Sequence, residues 1–265
     1  MRNTYPSDIT REEFEMIREE LEKVSKKTHP SVYDLYDIFC AVLYLVKEGC
    51  TWRGLPHDFP KWQNVRYHYD KWAKTDENGI SILDKILQKL VKMERKKNKR
   101  KKRTTMLILD SKTISNADTA RVKGYDAGKK KSGIKLHIGV DILGLPHTIL
   151  ITPADVNDRT GALQMLGFYK IRTKKLEKVK KVLADGGYTG EKFANAVKIL
   201  LNAQTEVVKR NQLHLFVVLP KRWIVERTFA WIDKCKRFWK NSERKTHNFL
   251  QLLSLAFIRI ILKRY

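Results

Sequence analysis

The sequence predicts an α/β protein in which a layered domain with a mixed sheet follows a small all-helical domain. Apolar residues recur at helical spacing in the first third of the chain, and period-two alternation begins near residue 104. Strand and helix patterns then alternate to the end. A basic stretch separates the two regions, so the predicted domains are 1–93 and 105–265, with a linker at 94–104.

The composition favours a globular protein with a polyanionic partner. Lys and Arg number 54 against 29 Asp and Glu, a formal net charge of +25. Nucleic acid is the leading partner for such a charge and an anionic membrane surface the second, while an AT-rich genome would supply many lysines without any partner. The hydrophobic content of 42% argues against a disordered chain.

The cysteines and the N-terminus predict a cytoplasmic protein. Cys40, Cys50 and Cys235 show neither CxxC spacing nor histidines at zinc-ligand spacing, which fits a reducing compartment. The polar, acidic start is unlike a signal peptide. No apolar run reaches the length of a membrane span, so we expect no membrane partner.

Four helices are predicted in the first region. Thr10 and Glu13 have the spacing of a capping box, and Gly49 is typical of a helix C-cap. Ser81 with Asp84 begins the fourth helix.

The third helix, which follows Pro60, carries a donor-rich outer face that includes Arg66 and Lys71. Such a face resembles the recognition surface of a helix-turn-helix module. We therefore expect Arg66 and Lys71 to contact DNA; the alternative is a solvated face on a structural bundle.

The connecting stretch 94–103 reads ERKKNKRKKR and is basic at eight of ten positions. A run of this kind is usually a solvated or disordered tether. Non-specific binding of phosphate is a further interpretation, and nuclear import is a weaker one.

The second region predicts five strands. The first ends at Asp110 in TTMLILDS, the second and third form a hairpin within GIKLHIGVDILGLPHTILIT, the fourth is KVLAD ending at Asp185, and the fifth is TEVVK. Helices are expected from about residue 158, around 193–201, and at 220–240 and 247–263.

Two of these strands end in an aspartate. If they are parallel neighbours, Asp110 and Asp185 meet at the carboxyl edge of the sheet, where ligands bind in open α/β folds. The two glycines after Asp185 leave room for a bulky ligand.

Glu226 supplies a third acid from a predicted helix. A carboxylate among aromatic and aliphatic residues must be paired or metal-bound, and Arg222 and Arg227 are the alternative partners. Three converging carboxylates repel one another by about 1 kcal/mol per pair at 4 Å in water. Mg²⁺ relieves that repulsion and prefers oxygen ligands. A pair of Mg²⁺ ions, with Mn²⁺ as a substitute, would suit phosphoryl transfer on nucleic acid.

The motifs around these acids resemble those of bacterial insertion-sequence transposases of the DDE type, closest to the insertion sequence five group. The resemblance covers nearly the whole chain, in order. Its motifs are GCTWRGLPHDFPKW, YHYDKWAKT, LDSKT, GYDAGKKKSGIKLHIGVDILGLP, TPADVNDRTGA, LADGGYTG and LPKRWIVERTFAW.

The resemblance implies a ribonuclease-H-like catalytic domain in which Asp110, Asp185 and Glu226 bind two Mg²⁺ ions. It also implies cleavage at inverted-repeat ends and strand transfer into double-stranded target DNA, in a bacterial cytosol and near the nucleoid. A related Tyr–Arg–Glu–Lys pattern is matched at Arg222, which we expect to contact DNA. It is not matched at its two ends, where Leu219 stands at the Tyr position and Asp233 at the Lys position.

Several other residues carry weaker expectations. Lys129 and Lys130 lie in a loop beside Asp126 that we expect to follow the DNA backbone, although a solvated loop is equally compatible. His137 is expected to face solvent. For Trp223, core packing is favoured over stacking on a displaced base.

Two other functions remain open from the residues. One is a Mg²⁺-dependent nuclease without strand transfer, and the other is a catalytically inactive DNA-binding repressor. Pairing of two DNA ends would require at least a homodimer.

Overall fold

The computed structural model describes residues 2–24, 33–208 and 222–265, and the side chains of Val208 and Arg222 are outside that description. Leu219 also lies outside the described residues. The described chain falls into two compact units. The first comprises residues 2–90, 232–239 and 251–265, with the gap at 25–32, and the second comprises 91–231, with the gap at 209–221, and 240–250.

The first unit is helical, as predicted. Its helices are α1 (Arg11–Glu22), α2 (Leu35–Glu48), α3 (Trp62–Ala73) and the first part of α4 (Ile82–Lys97), joined by the end of α8 (Thr246–Leu262). The predicted caps are confirmed: Thr10 and Glu13 bond reciprocally, and Gly49 ends α2 at φ 72°. Asp84 N–H donates to Ser81 Oγ at 3.0 Å.

The second unit is built on a mixed sheet. Its strands are β1 (Met106–Ser115), β2 (Gly124–Asp126), β3 (Lys131–Val140), β4 (Pro146–Pro153), β5 (Lys181–Asp185) and β6 (Gln204–Val208). The order is β4-β3-β1-β5-β6, with the short β2 pairing with the start of β3. β1 is antiparallel to β3 and parallel to β5, and β6 is parallel to β5. The five predicted strands are confirmed, and β2 is an addition.

Helices complete the second unit. They are α5 (Asp158–Arg172), α6 (Glu191–Leu201), most of α7 (Arg222–Asp233) and the start of α8. Leu107, Leu109, Val182 and Ala184 form one core with residues of α5 and α6. Because side chains alternate along a strand, the remaining residues of β1 and β5 face the other side of the sheet.

The basic stretch is only partly the solvated tether that was predicted. α4 continues to Lys97, and Glu94 and Arg95 are buried. The physical reason is an ion pair, because Arg95 binds the fully buried Asp141. The domain limits 1–93, 94–104 and 105–265 remain a prediction.

Among the described helices, none combines the length with the apolar content that crossing a bilayer requires.

Candidate active site

Asp110 lies in the middle of β1, so the prediction that it ends a strand is wrong. β1 continues to Ser115 because its antiparallel ladder with β3 runs from Ile108 opposite Val140 to Ser115 opposite Gly133. The parallel ladder with β5 is shorter and ends at Ile108 opposite Leu183. Asp110 therefore lies just beyond the point where β1 and β5 stop pairing.

Asp110 and Asp185 occupy equivalent positions on the two neighbouring parallel strands. Each is two residues beyond the last paired residues, Ile108 and Leu183, so continuing the register places them opposite each other. Alternation also puts both on the face of the sheet away from the core beneath α5 and α6. The prediction that the two strands are parallel neighbours is thus confirmed. That Asp110 and Asp185 act together stays a prediction.

Local hydrogen bonds orient both carboxylates. Asp110 Oδ1 accepts from Ser111 N–H at 2.7 Å, and Asp185 Oδ1 accepts from Gly187 N–H at 2.9 Å. The second bond caps a short 3-10 turn, Gly186–Tyr188. A Cβ placed on Gly186 would meet no atom within 4 Å, so the space next to Asp185 is open to a ligand.

The hydroxyl of Tyr188 lies near both aspartates. Tyr188 is buried, and burial raises the pKa of its phenol well above the ordinary value, with the charges of Asp110, Asp158 and Asp185 adding to the rise. Asp110, Asp158 and Asp185 are therefore all within electrostatic range of this hydroxyl.

Glu226 lies on the exposed face of α7. Ile224, Val225, Thr228 and Phe229 are buried, whereas Glu226 is exposed. This pattern follows from helical spacing, with the apolar side chains on one stripe.

α7 packs against the face of the sheet that carries Asp110. Lys112, two residues along the same strand, has its Nζ 5.9 Å from the centroid of the Phe229 ring. Glu226 is nearly one helical turn before Phe229. The helix that carries Glu226 therefore contacts the face of β1 that also carries Asp110.

Two hydrogen bonds fix α7 to the turn between β3 and β4. Thr228 Oγ1 donates to the carbonyl of Gly144 at 3.0 Å, and Arg227 Nη2 donates to the carbonyl of Leu143 at 3.1 Å. Neither contact was predicted, because threonine and arginine on a helix give no sign of a partner in a distant turn.

Trp223 is 48% exposed, so the expected core packing is wrong. Its ring lies 4.6 Å from the guanidinium carbon of Arg227, which also lies 5.0 Å from the ring of Trp231. The guanidinium of Arg227 therefore covers part of the indole, and about half of Trp223 stays exposed to solvent.

The residues at this face match the ligand chemistry of Mg²⁺ in part. Asp110 and Asp185 offer oxygen ligands at equivalent register positions, which fits a hard cation. Among the described residues, however, no group of three or more His, Cys, Asp or Glu side chains is close enough to form a ready metal site. The fit to a hard cation rests on Asp110 and Asp185, whereas Glu226 lies on the exposed face of α7 and stays a predicted ligand.

The predicted DNA contacts of α3 lie on its outer side but are already engaged. Arg66 Nε is 2.8 Å from both carboxylate oxygens of Asp70, and its guanidinium lies over Trp52. Lys71 Nζ lies 4.3 Å from the centroid of the Tyr67 ring. The positive charge of Arg66 is therefore partly balanced within its own helix.

The loop between β2 and β3 presents Lys129 and Lys130 to solvent, as predicted. Asp126 is not part of that surface, because it accepts from Thr113 Oγ1 at 2.6 Å and lies 3.6 Å from Lys135 Nζ. Arg222 begins α7, and its side chain is outside the described part of the chain.

A buried polar group beneath the sheet was missed by sequence reasoning. Lys135 is buried, with its Nζ 3.1 Å from Asp158 Oδ1. Ser111 lies beside both Asp158 and Tyr188. Burial opposes ionisation of Asp158, but Ser111 and Lys135 together hold its pKa below the ordinary range.

The prediction for His137 is wrong. Its ring is 1% exposed, bonds Thr152 Oγ1 through Nε2 at 2.9 Å and packs against Gly161 of α5. The reason is that helices cover this face of the sheet, so a polar residue that alternates with apolar ones is buried as well.

Two regions of the chain match families of known proteins. Residues 101–261 match the family described as "Transposase DDE domain", and residues 9–77 match one described as "Putative transposase of IS4/5 family". A curated relative from Burkholderia cepacia, "Putative transposase for insertion sequence element IS402", is 31% identical over 121 residues. That alignment covers 44% of this chain and 57% of the relative, so the chain spans little more than half the length of this relative.

The first family match covers more than half of the chain and includes Asp110, Asp185 and Glu226. The chain belongs to the family of insertion-sequence transposases with a DDE domain.

Proposed function

We propose that this chain is a transposase that binds the terminal inverted repeats of an insertion sequence and catalyses DNA cleavage and strand transfer. The observation that carries the proposal is the equivalent register of Asp110 and Asp185 on the sheet face against which α7 packs. Membership in the transposase family supports it.

Asp110, Asp185 and Glu226 would hold the divalent cations, two Mg²⁺ ions with Mn²⁺ as a substitute. When bound, the cations would activate the attacking hydroxyl and stabilise the leaving oxygen of a phosphodiester. The chain itself keeps the aspartates in place through the amides of Ser111 and Gly187. Open space above Gly186 gives a DNA backbone access to Asp185.

The proposed reaction has two steps. Water first attacks the phosphodiester at the end of the element, the P–O bond to the 3′ oxygen breaks, and a 3′ hydroxyl is released. That hydroxyl then attacks a target phosphodiester, forms a new P–O bond and displaces the next 3′ oxygen of the target strand. Each step exchanges one P–O bond for another, so no oxidant or energy-rich cofactor is required.

DNA would be held by positive charge outside this centre. The net charge of +25 favours a duplex, and Arg66, Lys71, Lys129, Lys130 and Arg222 are the proposed contacts. Joining two ends in one event requires at least a homodimer in the synaptic complex. A chromosomal substrate would place the activity in the bacterial cytosol, at the nucleoid.

Strand transfer tests the proposal directly. A labelled duplex with the sequence of the element's own end and a recessed 3′ hydroxyl is incubated with a supercoiled plasmid and Mg²⁺. We expect label to appear on nicked or linear plasmid. Nicked but unlabelled plasmid would mean a nuclease, and DNA binding without any cleavage would mean a repressor; either result would overturn the proposal.

A further inference from the structure

The basic stretch contains a surface loop that is highly charged and folded. Residues 96–102 comprise the last two residues of α4 and the turn that follows, and we call them the basic loop. Six of these seven residues are Lys or Arg. All seven are exposed. Five of these six cations form no ion pair with any residue in the ranges that the structure describes. They are Lys96, Lys99, Arg100, Lys101 and Lys102.

The backbone of the basic loop is fixed from within. Arg95 Nε donates to the carbonyl of Lys101 at 2.8 Å, and its Nη2 lies 3.5 Å from the carbonyl of Arg103. Arg100 N–H donates to the carbonyl of Arg95 at 2.8 Å. Lys99 adopts a left-handed φ of 55°, which reverses the chain after α4.

A buried ion pair holds Arg95 itself. Its guanidinium binds Asp141, whose Oδ2 lies 3.1 Å from His147 Nε2. The other oxygen, Oδ1, accepts from the amides of Leu143 and Leu145 at 2.9 and 3.1 Å. Arg95 and Asp141 are therefore both satisfied in the interior, which is the condition for burying such a pair.

This arrangement differs from a solvated charge run. A flexible run loses conformational freedom when it binds, whereas a loop held by Arg95 has largely lost it already. The buried Arg95 directs its donors to loop carbonyls, whereas the cations of the loop itself are exposed. Closely spaced cations with a fixed backbone match a row of phosphates better than an isolated acidic side chain.

We propose that the basic loop is a preformed binding site for the phosphate backbone of duplex DNA, positioned by the Arg95–Asp141 pair. Its residues differ from the proposed contacts on α3 and in the β2–β3 loop. The inference relies on the proposed function only in taking DNA as the ligand, and it concerns affinity without regard to sequence.

The charge of the loop is tested by removing it. The full chain with Lys96→Gln, Lys99→Gln, Arg100→Gln and Lys101→Gln is titrated with a random-sequence duplex at 50 to 200 mM salt, without Mg²⁺. The matched control changes four exposed lysines elsewhere in the same unit to Gln; they are Lys170, Lys174, Lys178 and Lys192.

We expect the loop variant to bind roughly tenfold more weakly or worse at low salt. The slope of log K against log salt should be about 3.6 shallower, since each of the four lost phosphate contacts removes about 0.9. The control should retain its slope. Equal losses in both variants, or no loss in either, would overturn the proposal. The assay needs no cleavage, so failure of strand transfer leaves its outcome unaffected.

The positioning by Asp141 is tested separately. Asp141→Asn keeps an oxygen for the turn amides but removes the charge opposite Arg95. We expect faster trypsin cleavage within 96–102 than in the wild type, and several-fold weaker duplex binding. If the variant fails to fold, cleavage of the wild type decides: rapid cutting of the loop in native protein would show that it is not preformed.

Discussion

Lys135 shows how a single residue organises the interior beneath the candidate site. Its Nζ lies between Asp158, at 3.1 Å, and Asp126, at 3.6 Å, and its side chain is 7% exposed. A cation at this position balances two carboxylates, one of which lies beside Ser111 and Tyr188. Removing one partner of such a group leaves uncompensated charge in the interior.

We expect Lys135→Met to lower the free energy of unfolding by about 3 kcal/mol, because both carboxylates lose their cation. Urea denaturation measures the change. Lys131→Met is the control, since Lys131 is exposed on the same strand and should change stability by less than about 0.5 kcal/mol. Equal effects of the two substitutions would contradict the role of Lys135.

Because His137 is buried, we expect the folded protein to lose stability in mild acid. Burial lowers its pKa from 6.5 to about 4, so the folded state disfavours its protonation. The unfolded chain binds a proton as the pH falls below 6.5, whereas the folded chain does not until about 4, and stability is therefore lost on acidification.

Between pH 7 and pH 5 this histidine should cost about 2 kcal/mol of stability. Urea unfolding of the wild type and of His137→Gln at both pH values measures the difference. The variant should show the smaller loss on acidification, whatever its absolute stability. An equal loss in both proteins would contradict the lowered pKa.

The sequence predicted the parallel strands that carry Asp110 and Asp185 better than the surroundings of those strands. Asp110, Asp185 and Glu226 follow recognisable local patterns, and two of them do lie on neighbouring parallel strands. Lys135 and His137 could not be placed, because alternation distinguishes two faces of a strand without showing whether a helix covers the second. Only the position of α5 decides that.

At the scale of elements, the turn between β3 and β4 positions α7. Gly144 has φ +77°, and a Cβ there would lie 2.8 Å from Thr228 Oγ1 and 3.0 Å from Trp231 Cη2. The glycine thus allows both the left-handed backbone and the close approach of the helix. Glu226 is on the same helix, so this packing bears on the proposed site.

We expect Gly144→Ala to destabilise the protein by about 2 kcal/mol or more, since strain in the turn adds to a clash with α7. It should also reduce DNA cleavage more than DNA binding. Gly167→Ala is the matched control: Gly167 is inside α5, a Cβ there meets nothing within 4 Å, and the change should be neutral or stabilising. Thermal unfolding measures the stability of both variants, and a cleavage assay measures their activity. Unchanged cleavage by a destabilised Gly144→Ala protein would contradict the proposal that this turn positions α7 for catalysis.

The length of β1 shows a limit of local patterns. Asp110, Ser111 and Lys112 read as the end of a strand because polar residues interrupt an apolar run. The strand continues because β3 supplies a partner for every residue to Ser115. Pairing over a long sequence separation determines the boundary, and no short window contains that information.

For the whole molecule, the proposed DNA binding should depend on positive charge outside the candidate site. With a net charge of +25, duplex binding should weaken steeply with salt, with a slope near −0.9 for each phosphate contacted. A flat salt response would contradict an interface dominated by the DNA backbone.

On α3, the ion pair between Arg66 and Asp70 allows a more specific prediction about DNA binding. Arg66→Ala with Lys71→Ala should weaken binding to terminal-repeat DNA, whereas Asp70→Asn should strengthen it by releasing Arg66 from its partner. Fluorescence anisotropy with a labelled duplex measures both. Unchanged binding by the double variant would contradict a DNA contact by Arg66 and Lys71 and would favour a purely structural role for α3.

The order of helices and strands was predictable, but the grouping of segments was not. Residues 251–265, the C-terminal part of α8 and its extension, group with the N-terminal helices. Within that unit, Ser81 Oγ donates to Gln251 Oε1 at 2.7 Å, and both residues are buried. Periodicity identifies a helix and its apolar face, and it carries no information on which distant segment covers that face.

Glu226→Gln tests most directly whether Asp110, Asp185 and Glu226 form one catalytic centre, as we propose. The amide keeps the size of the exposed side chain and removes its charge, so folding should be unaffected. We expect Mg²⁺-dependent cleavage of terminal-repeat DNA to fall at least about a hundredfold, while binding of the same DNA stays within about twofold of the wild type. Cleavage that persists at the wild-type rate would contradict the assignment of Glu226 and, with it, the proposed centre.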